Sequence, residues 1–332
     1  MKKILIIISV SLICGTSCKK ANSPVVPDDE TLMAINSQHT CASAEILADE
    51  LKNDPNRAIY LDDLENKIKN YKGRGMMNRR VSGKLYVPVV IHVVLIDPSV
   101  ITDAAILYQQ QVLNEDFNKA NAELASPSVY LAGYQLSKVA NCQIEFYITN
   151  VVRVATTVSE FPAHSDSMKF SALGGSDAVD PATKLNIWVC NTPGGLSWAK
   201  FPGGNVQTDG IVNDYEFFGP STPAHPYHKG RTAGHEVGHW LNLRHIWGDA
   251  ACGNDFVNDT PDHNGPNYYC PAQGLKSTCR TKPLMMWMNY MDYSYGVCRY
   301  MFTTGQKQRM DATIDNARSG YFSPTKIYPG YF

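Results

Sequence analysis

The chain has 332 residues, 44% hydrophobic and 18% charged, which is ordinary globular composition with enough apolar material for a sizeable core. A formal net charge of −1 supplies no electrostatic reason to expect nucleic acid or an anionic membrane as the main partner. Composition leaves the chemistry to particular residues.

Lys2 and Lys3 precede an apolar stretch, residues 4–13, that is too short to span a bilayer as a helix and has the form of an export signal. Gly15, Thr16 and Ser17 then stand before Cys18, with Lys19 and Lys20 after it. That arrangement resembles a bacterial lipoprotein signal, with Gly15 where Leu is usual, so Cys18 is read as a lipidation site or as an incidental cysteine beside a plain cleavage site. Both readings take the protein out of the cytoplasm, secreted or held on the cell envelope or outer surface, where disulfides are permitted. Of the nine cysteines, Cys14 and Cys18 belong to the signal region and Cys41 stands alone. Cys142 and Cys190 lie in strand-like runs, and Cys252, Cys270, Cys279 and Cys298 form a late group with three pairings open.

Residues 23–80 are polar, with helical spacing through Ile46, Leu47 and Leu51 and again through Leu61, Leu64 and Ile68. They close on Lys72-Gly73-Arg74-Gly75 and Arg79-Arg80, a flexible basic boundary that suits a tether or a pro-segment. At Tyr86 a nearly unbroken β-branched run begins, Val87 to Leu95, as expected of a strand covered on both faces. Thr102 and Asp103 can cap a helix whose Ile106, Leu113 and Phe117 share a face. Residues 144–148 and 185–189 are further strands, 194–204 a Gly-punctuated edge region, and 210–212 precede a helix after Gly230. The order predicts an α/β layer with a mixed sheet.

That last helix carries His235-Glu236-Val237-Gly238-His239, followed by His245. Residues four apart on a helix differ by about 40° and one turn, so His235 and His239 can face one ion. Glu236 is rotated by about 100° from His235, which puts its carboxylate beside the metal as a base. No glutamate occurs after Glu236, so a downstream Glu cannot complete the site. His245 is the candidate third ligand, with Asp249 a weaker alternative. For His245 to return, the helix must end in a left-handed residue, and Asn242 occupies that place. His92 reads as structural; His39, His164, His225, His228 and His263 have no ligand spacing and read as solvated loop residues.

The run His235 to His245 resembles the extended zinc motif of the metzincin metallopeptidases except at Asn242, and Asn289-Tyr290-Met291-Asp292-Tyr293 resembles their methionine turn. The nearer resemblance is to the pappalysin family. It is carried by Leu243 to Asp249, Asp259-Thr260-Pro261, Met291-Asp292-Tyr293, Cys298 and Phe302 to Gln306, and it spans residues 85–315. It implies an α/β (α+β) metzincin-type domain: a mixed, twisted five-stranded sheet, an active-site helix and an irregular C-terminal subdomain, preceded by a mostly helical pro-segment. The expected division is a signal peptide at 1–17, tether and pro-segment at 18–80 and a catalytic domain at 81–332.

The implied activity is that of a zinc-dependent endopeptidase acting on proteins or peptides, with Glu236 as general base and made as a latent zymogen. The implied membrane contact is only through a lipid at Cys18. By the same resemblance Met291 is the floor beneath the ligands, Tyr293 supports the oxyanion, and disulfides join Cys252 to Cys279 and Cys270 to Cys298. Met285, Met286 and Met288 read as core or loop filler, and Cys142 and Cys190 gain no partner. The Asp255 to Thr260 loop suits a hard cation, with calcium on Asp255 and Asp259 set against a merely solvated turn. Cys41, beside Ala42 where the family has Gly, would hold the zinc in the latent form. An extended substrate would lie antiparallel to the edge near residues 194–199. Family members of this type prefer a basic residue after the scissile bond, yet no acidic pocket residue can be assigned. Two rival readings are a catalytically inactive, zinc-stabilised binding lipoprotein and a zinc amidase on a non-peptide substrate.

Overall fold

The computed structural model describes residues 41–73, 80–126, 131–220 and 225–322; Cys18 with the signal region, His39, and Arg74 to Arg79 of the basic boundary lie outside the described residues. The order is α1 (Ser43–Asn53), α2 (Pro55–Lys69), β1 (Leu85–Leu95), α3 (Asp103–Phe117), β2 (Ile144–Ala155), β3 (Leu185–Cys190), β4 (Trp198–Ala199), β5 (Ile211–Asp214), α4 (Arg231–Trp240) and α5 (Thr304–Ala317). The strands form one mixed five-stranded sheet, β2-β1-β3-β5-β4, parallel except for β4, which runs antiparallel to β5. Among the described residues no helix is long and apolar enough to cross a membrane.

β1 is buried at every position, which is why it reads as a β-branched run without alternation. Leu85, Val87, Val89, Ile91 and Val93 face the main core with Phe117 of α3 and Val237 and Trp240 of α4. Val94 faces the opposite way, with Trp188, Cys190 and Val212, onto a second core that Ala42 and Ile46 complete. α3 crosses from β1 to its parallel neighbour β2, and the Thr102 side chain accepts from Ala105 N–H at 3.2 Å to start it. The edge strand expected near 194–199 is only two residues long.

Between α4 and α5 the described chain forms no α-helix and no strand of the sheet. It surrounds its own cluster of Ile246, Trp247, Met285, Met286, Met288 and Met301. Disulfides join Cys252 to Cys279 and Cys270 to Cys298, the pairs the resemblance implies, while Cys142 and Cys190 are buried thiols.

Candidate metal centre

All ten residues of α4 are buried, and its sequence follows from what each face meets. Gly238 has no side chain because the Met291 sulfur occupies the space: a Cβ there would lie 2.4 Å from Met291 Sδ. Asn242 takes φ +70°, so the helix ends in the left-handed residue that the motif requires. Leu243 N–H returns to Gly238 O at 2.9 Å, and Arg309 Nε holds Asn242 O at 2.7 Å. The turn carries His245 back against the helix.

Each imidazole is fixed through Nδ1. His235 faces Tyr290 O at 2.6 Å, His239 faces Leu243 O at 2.8 Å, and His245 faces the Asp249 carboxylate at 2.5 Å. Carbonyl oxygens only accept, so His235 and His239 carry their protons on Nδ1 and turn lone pairs inward on Nε2. The Nε2 atoms of His235 and His245 each lie 3.1 Å from Nε2 of His239. Such facing lone pairs repel unless a cation lies between them, and burial, with neighbouring His charge, holds both His235 and His239 well below the ordinary imidazole range. Ligand atoms of Cys41, His235, His239 and His245 all fall within 4.8 Å of one another. Three imidazoles and a thiol are the donor set of a borderline-soft, tetrahedral ion such as zinc. Asp249 contributes by orienting His245 and is not one of the converging groups.

Glu236 is fully buried beside this group. Burial pushes its carboxyl up to about 8, opposed by hydrogen bonds from Ser43 and Cys41 and by the charge of Arg299. The Tyr293 ring packs edge-on against His245, centroids 4.8 Å apart, and lies tilted to His235 at 5.9 Å.

The cleft is filled by residues 41–43. Cys41 pairs in parallel register with Ser197, and Ala42 N–H donates to Ser197 O at 3.0 Å. Tyr293 OH donates to Cys41 O at 3.0 Å. The Ser43 hydroxyl donates to Glu236 Oε2 at 3.0 Å and accepts from Ala199 N–H at 2.9 Å. Nothing in the sequence marks Ser43: it is a small polar residue in an unpatterned segment, and only the fold brings it to Glu236.

The remaining sites resolve differently. Asp255 accepts from Val257 N–H at 3.0 Å and Thr260 OH at 2.7 Å, and burial raises its carboxyl to about 6. Asp259 accepts from Thr303 OH at 2.6 Å and Gly305 N–H at 2.9 Å, so its carboxylate sits on the N-terminus of α5. Among the described residues only the Cys41–histidine group brings three or more such side chains together. His92 is bonded to Ser176 and Asn186 inside the sheet layer. His263, read above as a solvated loop residue, is instead fully buried and accepts from Met286 N–H at 2.9 Å, because the disulfide loop folds inward there.

Residues 178–315 match the family profile described as pregnancy-associated plasma protein-A. The chain is similar to a promirolysin mutant of Tannerella forsythia, at 38% identity and TM-score 0.72 over 85% of this chain and 95% of that one. It is also similar to mature mirolysin of the same organism in complex with a cleaved peptide, at 40% identity and TM-score 0.64 over 71% and 97%. An extracellular metalloprotease of Colletotrichum graminicola is 32% identical over 58% of this chain and 72% of its own length.

Proposed function

From the premise that the chain belongs to the pappalysin family and is a zinc metalloendopeptidase, we propose that His235, His239 and His245 hold the zinc and that residues 41–73 belong to a pro-segment keeping the enzyme latent. The observation that carries this is the convergence of three Nε2 atoms and one thiol, each imidazole locked through Nδ1.

A zinc ion at that position supplies Lewis-acid polarisation of water and of the scissile carbonyl. Glu236, buried beside the three imidazoles, would take the proton from water and return it to the leaving amine. The Tyr293 hydroxyl, which donates to the Cys41 carbonyl, would donate to the oxyanion of the substrate carbonyl. Met291 packs under the helix as the floor. An extended substrate would pair antiparallel with β4, using the Ala199 N–H that Ser43 occupies in the latent form.

Cys41 would be the latency switch, its thiol among the three imidazoles and its carbonyl on Tyr293. Cleavage within residues 74–80 would release it. Export, with or without a lipid on Cys18, fits the extracellular relatives. Calcium in the 255–260 loop would rest on Asp255 and turn carbonyls, with Asp259 already committed to α5.

The test is incubation of the zinc-loaded, matured chain with denatured protein, with and without a chelator. Chelator-sensitive cleavage that Glu236→Gln abolishes while zinc stays bound is the expected result. Cleavage unaffected by both would sink the assignment of these residues.

A further inference from the structure

Just past β4 the domain gathers two lysines on one carboxylate. The ammonium of Lys169 is buried, lies 2.9 Å from Asp166 and donates to the Thr208 carbonyl at 2.6 Å. Lys200 meets the other oxygen of Asp166 at 3.1 Å and completes its pairing on Glu50 of α1 at 3.0 Å. Asp209, whose charge also reaches Lys169, is committed to Arg318 at 2.5 and 3.0 Å and to the Tyr321 hydroxyl at 2.7 Å. One of the two anions that neutralise the lysine pair therefore belongs to the pro-segment. Lys200 is only 8% exposed, and a cation so enclosed is costly to leave half-met.

The position follows from the strand register. Cys41 stands opposite Ser197 in parallel register and Ser43 accepts from Ala199 N–H, so the pro-segment runs from the metal centre toward Lys200. A substrate antiparallel to β4 runs the other way, and what it places at Lys200 precedes the scissile bond. Lys200 is three residues beyond Ser197, about 10 Å of extended chain, which a substrate covers in about three residues. The Lys200 N–H is bonded to the Gly210 carbonyl at 3.0 Å and the Lys200 carbonyl accepts from Arg318 at 3.2 Å, which leaves the ammonium as the group it can offer. A cavity of about 540 Å³ lies against it, lined by Asp166, His164 and Phe170 of the domain and by Asp49 and Glu50 of α1. The α1 wall of that cavity leaves with the pro-segment, as does Arg57, which holds the second oxygen of Glu50 at 3.0 Å.

We infer that Lys200 is a specificity-determining residue that receives the carboxylate of an aspartate or glutamate about three residues before the scissile bond, in the place that Glu50 holds in the latent form. This rests on the peptidase and pro-segment readings above. The substrate carboxylate restores the second anion of the lysine pair, so the pro-segment and an acidic substrate compete for one site. A basic side chain there meets like charge and is rejected.

The zinc-loaded full chain, matured by removal of its pro-segment, is incubated with a proteome-derived peptide mixture, with a chelator control, and the cut sites are sequenced by mass spectrometry. Asp and Glu should be enriched about fivefold among the second to fourth residues before the cut. Lys200→Met should remove that enrichment and raise KM about fivefold for peptides with an acid there, with a smaller change in kcat. Lys200→Glu should turn the preference toward Lys and Arg. Chelator-sensitive cleavage with no acidic enrichment before the cut in the unmutated enzyme, or with enrichment that survives both substitutions, overturns the inference and leaves the peptidase reading intact. Absence of any chelator-sensitive cleavage overturns both. The unmutated profile stands as a test even if the variants fail to fold.

Discussion

Between β1, α3 and α4 the contacts are apolar and continuous, from Val87 and Ile91 through Phe117 to Val237 and Trp240. The contacts that residues 41–73 and Arg80 make with the same domain include apolar ones, Leu47 and Leu61 on Phe201 and Ala42 and Ile46 in the second core beside Trp198. They run mainly through charges and polar groups. Arg57 binds the carbonyls of Phe201 and Pro202, Glu50 meets Lys200, Glu65 is bidentate on Arg309, and Tyr71 and Arg80 reach Asp315 and Asp311. Gly203 is bare because the Tyr60 ring of α2 lies where its Cβ would be. A core of the first kind cannot be removed without unfolding the domain, whereas an interface of the second kind can be exchanged for water and substrate.

The comparison can be broken first from the domain side. Glu236→Gln should lower kcat/KM by about 10³-fold while bound zinc, measured by elemental analysis, stays at one per chain. Retained activity would remove Glu236 from the chemistry. On the cover side, Cys41→Ala should abolish the lag before activity, by about 10²-fold in initial rate, seen with a fluorogenic peptide; an unchanged lag counts against the thiol as the latch.

Glu65→Ala should cost the cover about 2 kcal/mol, roughly 30-fold in its open population, because Arg309 loses its bidentate partner. The same pair predicts a pH dependence. Burial alone would raise the Glu65 carboxyl, but Arg309 brings it below its ordinary value of 4.5. A depressed carboxylate contributes fully above 4.5 and is lost as pH falls through its lowered value, so the cover should loosen only in acid below about 4.5. Protection of α2 amides, taken relative to their intrinsic exchange rate, that stays constant between pH 6 and pH 3 would contradict this. The smallest effect is expected of Ser43→Ala, about fivefold in leak activity with Cys41 intact, since one neutral hydroxyl is removed from Glu236 and Ala199. No leak at all would make Ser43 a bystander.

Much of the domain was legible from local pattern. The buried run at Val87 to Leu95, the Thr102 cap and the His235-to-His245 spacing are each set by neighbours a few residues apart, where helix and strand periodicity act directly. The left-handed turn at Asn242 was legible too, because few residues other than Gly tolerate it. The covering interface was not legible in this way. Glu65 and Arg309, Ser43 and Glu236, and Tyr293 and Cys41 are brought together by chain reversals that no local spacing encodes. His263 looked solvated because burial of a loop histidine depends on which way the disulfide loop folds.

By itself, then, the sequence determined the sheet layer, the helix that carries His235 and His239 and the candidate ligand set, since side-chain periodicity and ligand spacing along a helix are local properties. Tertiary structure decided which partners lock Nδ1 of each histidine and that Ser43 and Cys41 meet the Glu236 carboxylate. Those are consequences of burial, and burial is a property of the whole packed chain.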